Sequence, residues 1–174
     1  MPWIQEAKPA SRRRHLLHTL LQTAAMWTAF LAVLPAVLYR VESAAGLPSF
    51  APQPVAGWLV FTLASALGLW TGATMAWLGD GTPWPRATAR KLVIAGPYRY
   101  IRNPMAVAGL VQGFGIALVY GSPLLVVYVV LGGVLWNTIA RPVEERDLEE
   151  RFGDSYRAYR VRIRCWLPTF AGKR

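Results

Sequence analysis

The sequence predicts an all-α, multi-pass transmembrane helical bundle formed as a single domain, and three observations predict it. Of 174 residues, 54% are apolar and only 16% are charged, more apolar than a soluble average. Two stretches, Leu16 to Tyr39 and Val55 to Leu78, contain no Asp, Glu, Lys or Arg, and each exceeds the roughly 20 residues that a spanning helix requires. The net charge is nevertheless +10, so the basic residues are segregated from the apolar ones. Disorder is excluded, because too much apolar surface would stay wet. The single cysteine, Cys165, rules out a disulfide framework or a multi-thiolate zinc site, and His15 and His18 leave little for a histidine centre. No metal is expected.

The first apolar run is longer than the about 7 to 15 apolar residues of a cleavable signal peptide and is read as a membrane helix over 16–39. His15 and His18 are expected to snorkel at its interface. The second helix covers 55–78. A third stretch, Met105 to Ala140, is broken only at Tyr120-Gly121-Ser122-Pro123 and predicts a hairpin of two helices, 105–120 and 124–140. Each arm spans about 24 to 26 Å at roughly 1.5 Å per residue, slightly short of a hydrocarbon core of about 30 Å. Gly68, Gly72 and Ala76 on the second helix, with Gly109 and Gly113 on the third, form small-residue faces suited to close helix packing. Gly113-Phe114-Gly115 is the one place where such residues could instead open room for a cofactor.

The basic residues orient the bundle. All of the 19 except Arg40 flank the same ends of the four helices, which puts that side and both termini in the cytoplasm by the positive-inside rule. This bias also explains the charge without nucleic acid. Two segments on that side are too long to be mere connectors, a loop over 79–104 and a tail over 141–174. The loop opens with turn formers, GDGTPWP, and ends KLVIAGPYRYIRNPM. Asn103 and Pro104 predict an N-cap and first turn, leaving free amides that favour an anionic group. Arg99 and Arg102 would share a face if that stretch is helical. In the tail, Pro142 opens a helix, Gly153 ends it, and Asp154 or Ser155 caps a second. Val143, Leu148, Phe152, Tyr156, Tyr159 and Ile163 form an apolar stripe that lies on the membrane or over the inner helix ends. Glu144 and Glu145 cannot face the same way on a helix, so one points into any pocket while the other pairs with an arginine. Cys165 has no neighbouring base and is read as structural.

The segments GDGTPWPRATARKLVIAGPYRYIRNPM and RPVEERDLEERFGDSYRAYRVRIRCWLP, one hairpin apart, resemble the isoprenylcysteine carboxyl methyltransferase and phospholipid methyltransferase superfamily, specifically its small bacterial members. Gly96, Pro97, Tyr98, Arg99, Arg102, Asn103 and Pro104 match one family element, Glu144 and Glu145 its paired acids, and Phe152, Gly153, Tyr156 and Tyr159 a third. The resemblance implies an integral membrane enzyme of the bacterial inner membrane that uses S-adenosylmethionine without a Rossmann sheet. The sequence also has no GxGxxG following a strand. Two departures stand out. Asn103 replaces the histidine of the eukaryotic carboxyl methyltransferases, which argues against assuming a prenylcysteine substrate, and Ala106 replaces a frequent tyrosine, which alters the cofactor pocket.

On that resemblance, Glu144 or Glu145 would hold the cofactor's ribose hydroxyls or ammonium. Arg99 or Arg102, with the helix N-terminus and its Asn103 cap, would hold a carboxylate, and Tyr156 and Tyr159 would pack beside the adenine or sulfonium. Gly96, Tyr98 and Pro104 complete the expected cofactor set; Arg99, Arg102, Asn103 and Glu145 are the expected catalytic residues. The acceptor is a lipophilic molecule reached from the bilayer, carrying a carboxylate, a thiol or a lipid headgroup. Two other functions are weighed: an NADPH-dependent membrane reductase of related architecture, which needs a larger bundle than four helices supply, and a non-catalytic adaptor whose tail binds anionic lipid, for which the paired glutamates are unhelpful.

Overall fold

The computed structural model describes residues 11–82 and 88–170. Lys8, Arg86, Lys173, Arg174 and the 83–85 part of the expected turn lie outside them. Among the described residues the regular elements are helices: α1 (Arg12–Trp27), α2 (Leu34–Ala44), α3 (Pro54–Leu78), α4 (Pro104–Tyr120), α5 (Pro123–Leu135) and α6 (Arg141–Arg162), with a 3-10 turn at Gly96–Arg99. A π-helical segment at Thr28–Val33 joins α1 to α2 and another at Trp136–Ala140 joins α5 to α6, so each pair runs as one continuous helix. Three helices are long and apolar enough to cross a membrane, and α4 is a shorter apolar helix beside them. The apolar part of the α5–α6 rod ends at Ala140, where the charged sequence begins.

Both π-helical segments end two residues before a proline, Pro35 and Pro142. Proline has no N–H to donate and its ring clashes with the carbonyl four residues back, so the preceding turn widens by a residue instead of breaking. Thr28 and Thr138 return their hydroxyls to the carbonyls of Ala24 and Val134, each at 2.8 Å. Pro142 thus sits in the first turn of α6, as expected, but no break separates it from the membrane helix.

α3 and α4 form the spine. A Cβ on Gly57 would stand 2.6 Å from the Gly115 carbonyl oxygen, and one on Gly115 2.8 Å from that of Gly57. The two backbones therefore touch, a closeness that only small residues allow. Gly115 thereby serves packing and opens no room for a ligand. α1 packs on α3, with Thr19 over Gly72 and Trp27 over Gly68. His15 departs from its expected place: it is 5% exposed and turned into the bundle, while His18 is exposed as expected.

At the end away from the arginines, Gly121 closes α4 in a left-handed conformation (φ 65°), with its site backed against the Phe50 carbonyl, so neither the backbone nor the space admits a side chain. Phe50 N donates to Gly121 O at 3.0 Å. Glu42, 3% exposed, accepts from Leu124 N at 2.9 Å and from the Ser122 hydroxyl. It takes the Leu124 amide, while Ser122, the N-cap of α5, takes that of Leu125 at 3.0 Å.

At the basic end α6 folds back over the bundle. Gly153 (φ 51°, ψ −126°) is non-helical and divides α6 into two helices across a kink, as expected. The apolar stripe covers the inner helix ends, with Tyr156, Tyr159 and Ile163 packed with Leu92, Leu148 and Phe152. The chain after α6 lies along the segment before α4: Arg102 N donates to Arg164 O at 2.9 Å and Thr169 N to Tyr100 O at 2.7 Å. Cys165 is buried within this strap.

Candidate active site

A chamber of about 670 Å³ runs from α6 into the membrane part of the bundle, within the range of small-molecule sites. It occupies the place where α1 and α5 do not pack on one another. Beside it the Tyr128 hydroxyl of α5 donates to the carbonyl of Phe30, in the π-helical segment that follows α1, at 3.0 Å. Met26 and Phe30 line the chamber and are themselves exposed, so it is open on that wall. Residues of both π-helical segments, Phe30 and Leu31 in one and Trp136 and Ala140 in the other, form part of the wall.

Its charged end is built by the cap of α4 and the first two turns of α6. Asn103 uses both ends of its amide: Oδ1 accepts from Ala106 N at 3.0 Å, closing the first turn of α4, and Nδ2 donates to Glu144 at 3.2 Å. The paired glutamates diverge as expected. Glu145 accepts from Arg102 at 2.8 Å and from Arg141 at 2.9 Å, with the Arg102 side chain only 10% exposed. Glu144 lines the chamber. It is an exposed residue on that wall, with protein packed around its carboxylate. That burial pushes its pKa up to about 7; the charges of Glu145 and Asp147 add to the rise, and the Asn103 hydrogen bond opposes it.

Around this pair the phenols divide. Tyr159 donates to the Tyr98 carbonyl at 2.7 Å, and both line the chamber. Burial holds both phenols above their ordinary pKa, so they remain neutral walls. Tyr156 is 2% exposed and is not part of the chamber wall. It packs against Tyr159 and near the Arg102–Glu145 pair, where burial lifts its pKa to about 12, and it braces the ion pair. Asp147 and Arg151 bond to each other at 3.0 Å, and Arg151 also reaches Thr88 at 3.1 Å and the Ala89 carbonyl. They fasten α6 to the loop.

The expected sharing of a face by Arg99 and Arg102 does not occur. The 3-10 turn ends at Arg99, which is exposed and off the chamber wall, whereas Arg102 lines it. Gly96 (φ 55°) also makes no wall. A Cβ there would meet Thr74 Oγ1 at 2.9 Å, so the glycine serves the turn that places Tyr98. Pro104 is buried beneath the wall in the first turn of α4, and Ala106 lies on it. Gly109, expected to pack the bundle, faces open space: a Cβ there would meet nothing within 4 Å.

Residues 52–155 match the phospholipid methyltransferase family. The chain belongs to this family. The match takes in α3, α4, α5 and the part of α6 that carries Glu144 and Glu145, so the family region contains the charged end of the chamber. Over 168 residues the chain is 24% identical to "Methanethiol S-methyltransferase 1" of Bradyrhizobium diazoefficiens. That alignment covers 95% of this chain and 58% of the relative. No solved structure matches the chain. Sequence reasoning missed Gln22 and Gln112, which line the chamber; their signal was an uncharged polar side chain inside an otherwise apolar run.

Proposed function

We propose that this protein transfers a methyl group from S-adenosylmethionine to a lipophilic acceptor that enters the chamber from the bilayer, with the arginine-rich end in the cytoplasm. The observation that carries the reading is Glu144, a carboxylate on the wall of a membrane-penetrating chamber whose neighbours Arg102 and Glu145 are already matched to one another. The residues fit the cofactor. Glu144 would accept from its ammonium, and Arg102, on the chamber wall, would donate to its carboxylate. Tyr98 and Tyr159 offer neutral aromatic faces to a cation.

When bound, S-adenosylmethionine supplies an electrophilic methyl on a sulfonium, and in-line displacement by the acceptor leaves a neutral thioether. The chain's part is to position and to exclude water. Asn103 couples the start of α4 to Glu144, so donor site and membrane chamber move as one unit. Glu145 bridges Arg102 and Arg141, one carboxylate between two guanidinium groups, while Asp147 is matched by Arg151, which leaves Glu144, among the described residues, as the wall carboxylate without an arginine partner. An ionised carboxylate or a thiolate suits the chamber as acceptor, because either has already given up its proton to solvent before the transfer, and the name of the relative puts the thiolate first. The test is calorimetric binding of S-adenosylhomocysteine to the detergent-solubilised protein, beside NADPH. Saturable binding of the first but not the second is expected. Binding of NADPH alone would transfer the assignment to a reductase, and binding of neither, by folded protein, to an adaptor.

A further inference from the structure

Gln22 on α1 and Gln112 on α4 interrupt apolar runs, and both line the chamber. Gln112 is fully buried. Its Nε2 donates to Ser65 Oγ at 2.9 Å, and Ser65 passes its own proton to the Phe61 carbonyl at 2.7 Å. This chain turns the amide one way and leaves Oε1 without a partner among the described residues. The Oε1 of Gln22 is in the same condition. Buried carbonyl oxygens almost always have a donor, and a helix that needed only to pack would carry leucine or methionine at these positions.

The chamber wall that carries these side chains also leaves room. A Cβ on Gly109 or on Gly132, both on the chamber wall, would meet nothing within 4 Å. Unpartnered acceptors in a roomy apolar chamber describe a ligand position, with the ligand supplying the donor. Tyr128 cannot supply it, because its hydroxyl already donates to Phe30.

We propose that the membrane end of the chamber is a subsite for a hydrogen-bond donor, a hydroxyl or amide N–H carried by the methyl acceptor away from its reacting group and received by Gln112 and Gln22. This rests on the methyltransferase reading above. Gln112 follows Asn103 by nine residues along α4, a rise of about 13 Å, so the acceptor is long enough to reach from one level to the other. A plain hydrocarbon chain of that length leaves both carbonyls unmet and is disfavoured for that reason.

The test is calorimetric binding of 8-mercapto-1-octanol and of 1-octanethiol to the solubilised protein saturated with S-adenosylhomocysteine. Wild type, Gln112→Met and Gln22→Met are compared, since methionine keeps the volume and removes the carbonyl. Wild type is expected to bind the mercapto-alcohol about tenfold more tightly, and each substitution to cut that preference to about threefold or less, with affinity for S-adenosylhomocysteine unchanged. Equal affinity of wild type for the two probes, the result if water alone meets the carbonyls, would overturn the subsite. So would a preference that survives both substitutions. Should Gln112→Met fail to fold, the wild-type comparison and Gln22→Met decide alone. Failure of wild type to bind S-adenosylhomocysteine overturns the methyltransferase reading itself, and the subsite with it.

Discussion

Two acidic side chains, Glu42 at one end of the bundle and Glu144 at the other, sit in opposite circumstances. Glu42 is nearly inaccessible and accepts from the Leu124 amide and the Ser122 hydroxyl. Glu144 opens onto a chamber and receives one hydrogen bond, from Asn103. The contrast separates a carboxylate that holds the fold from one held ready by it. A buried acid with its acceptor capacity used contributes stability; one crowded by protein and by neighbouring negative charges, with its pKa lifted to about 7, lacks a cation.

The contrast can be broken most forcefully at the Glu42 end. Glu42→Leu takes the partner from the Ser122 hydroxyl and from the Leu124 amide, and about 2 to 3 kcal/mol of stability should be lost. A lower melting temperature with unchanged S-adenosylhomocysteine affinity of the surviving folded protein is the expected pattern. Glu144→Gln should do the reverse, weakening S-adenosylhomocysteine binding by more than about tenfold while the melting temperature stays within a degree or two of wild type.

The pKa of Glu144 sharpens the comparison through pH. Its folded value lies above the ordinary carboxylate value of 4.5, so its ionisation opposes folding. Stability declines as pH rises from about 4.5 to 7 and levels off above. Binding of an ammonium needs the ionised form, so affinity for S-adenosylhomocysteine should climb about tenfold between pH 6 and pH 8 in wild type. It should stay flat in Glu144→Gln, as calorimetry at both pH values would establish. The smallest effect belongs to Arg99: exposed and off the wall, its replacement by alanine should leave cofactor affinity within about twofold, read in the same titration.

Much of this architecture was legible in the sequence because its causes are local. Long uncharged runs make helices in lipid, Asn103-Pro104 makes a helix start, and 100° per residue sends adjacent glutamates apart. What stayed hidden depends on tertiary contact. Glu42 is a lone acid near a loop, and nothing nearby in the sequence says that Ser122 and Leu124 will meet it. His15 looks interfacial until α1 is seen to turn that face inward. Gly109 and Gly113 share a spacing motif, yet one faces open space and the other lies against Val129. Arg99 and Arg102 were grouped by helical spacing, but the 3-10 turn stops between them. The division of labour between Tyr156 and Tyr159 likewise depends on which of them the fold of α6 brings to the chamber.

The most direct measurement is titration of S-adenosylhomocysteine into wild type and Glu144→Gln at pH 7.5, with melting temperatures recorded on the same samples. Saturable binding in wild type and a loss of more than about tenfold in a variant that melts normally is the predicted result. Equal affinity in the two proteins would contradict the assignment of Glu144 as the carboxylate that the fold holds ready for the cofactor.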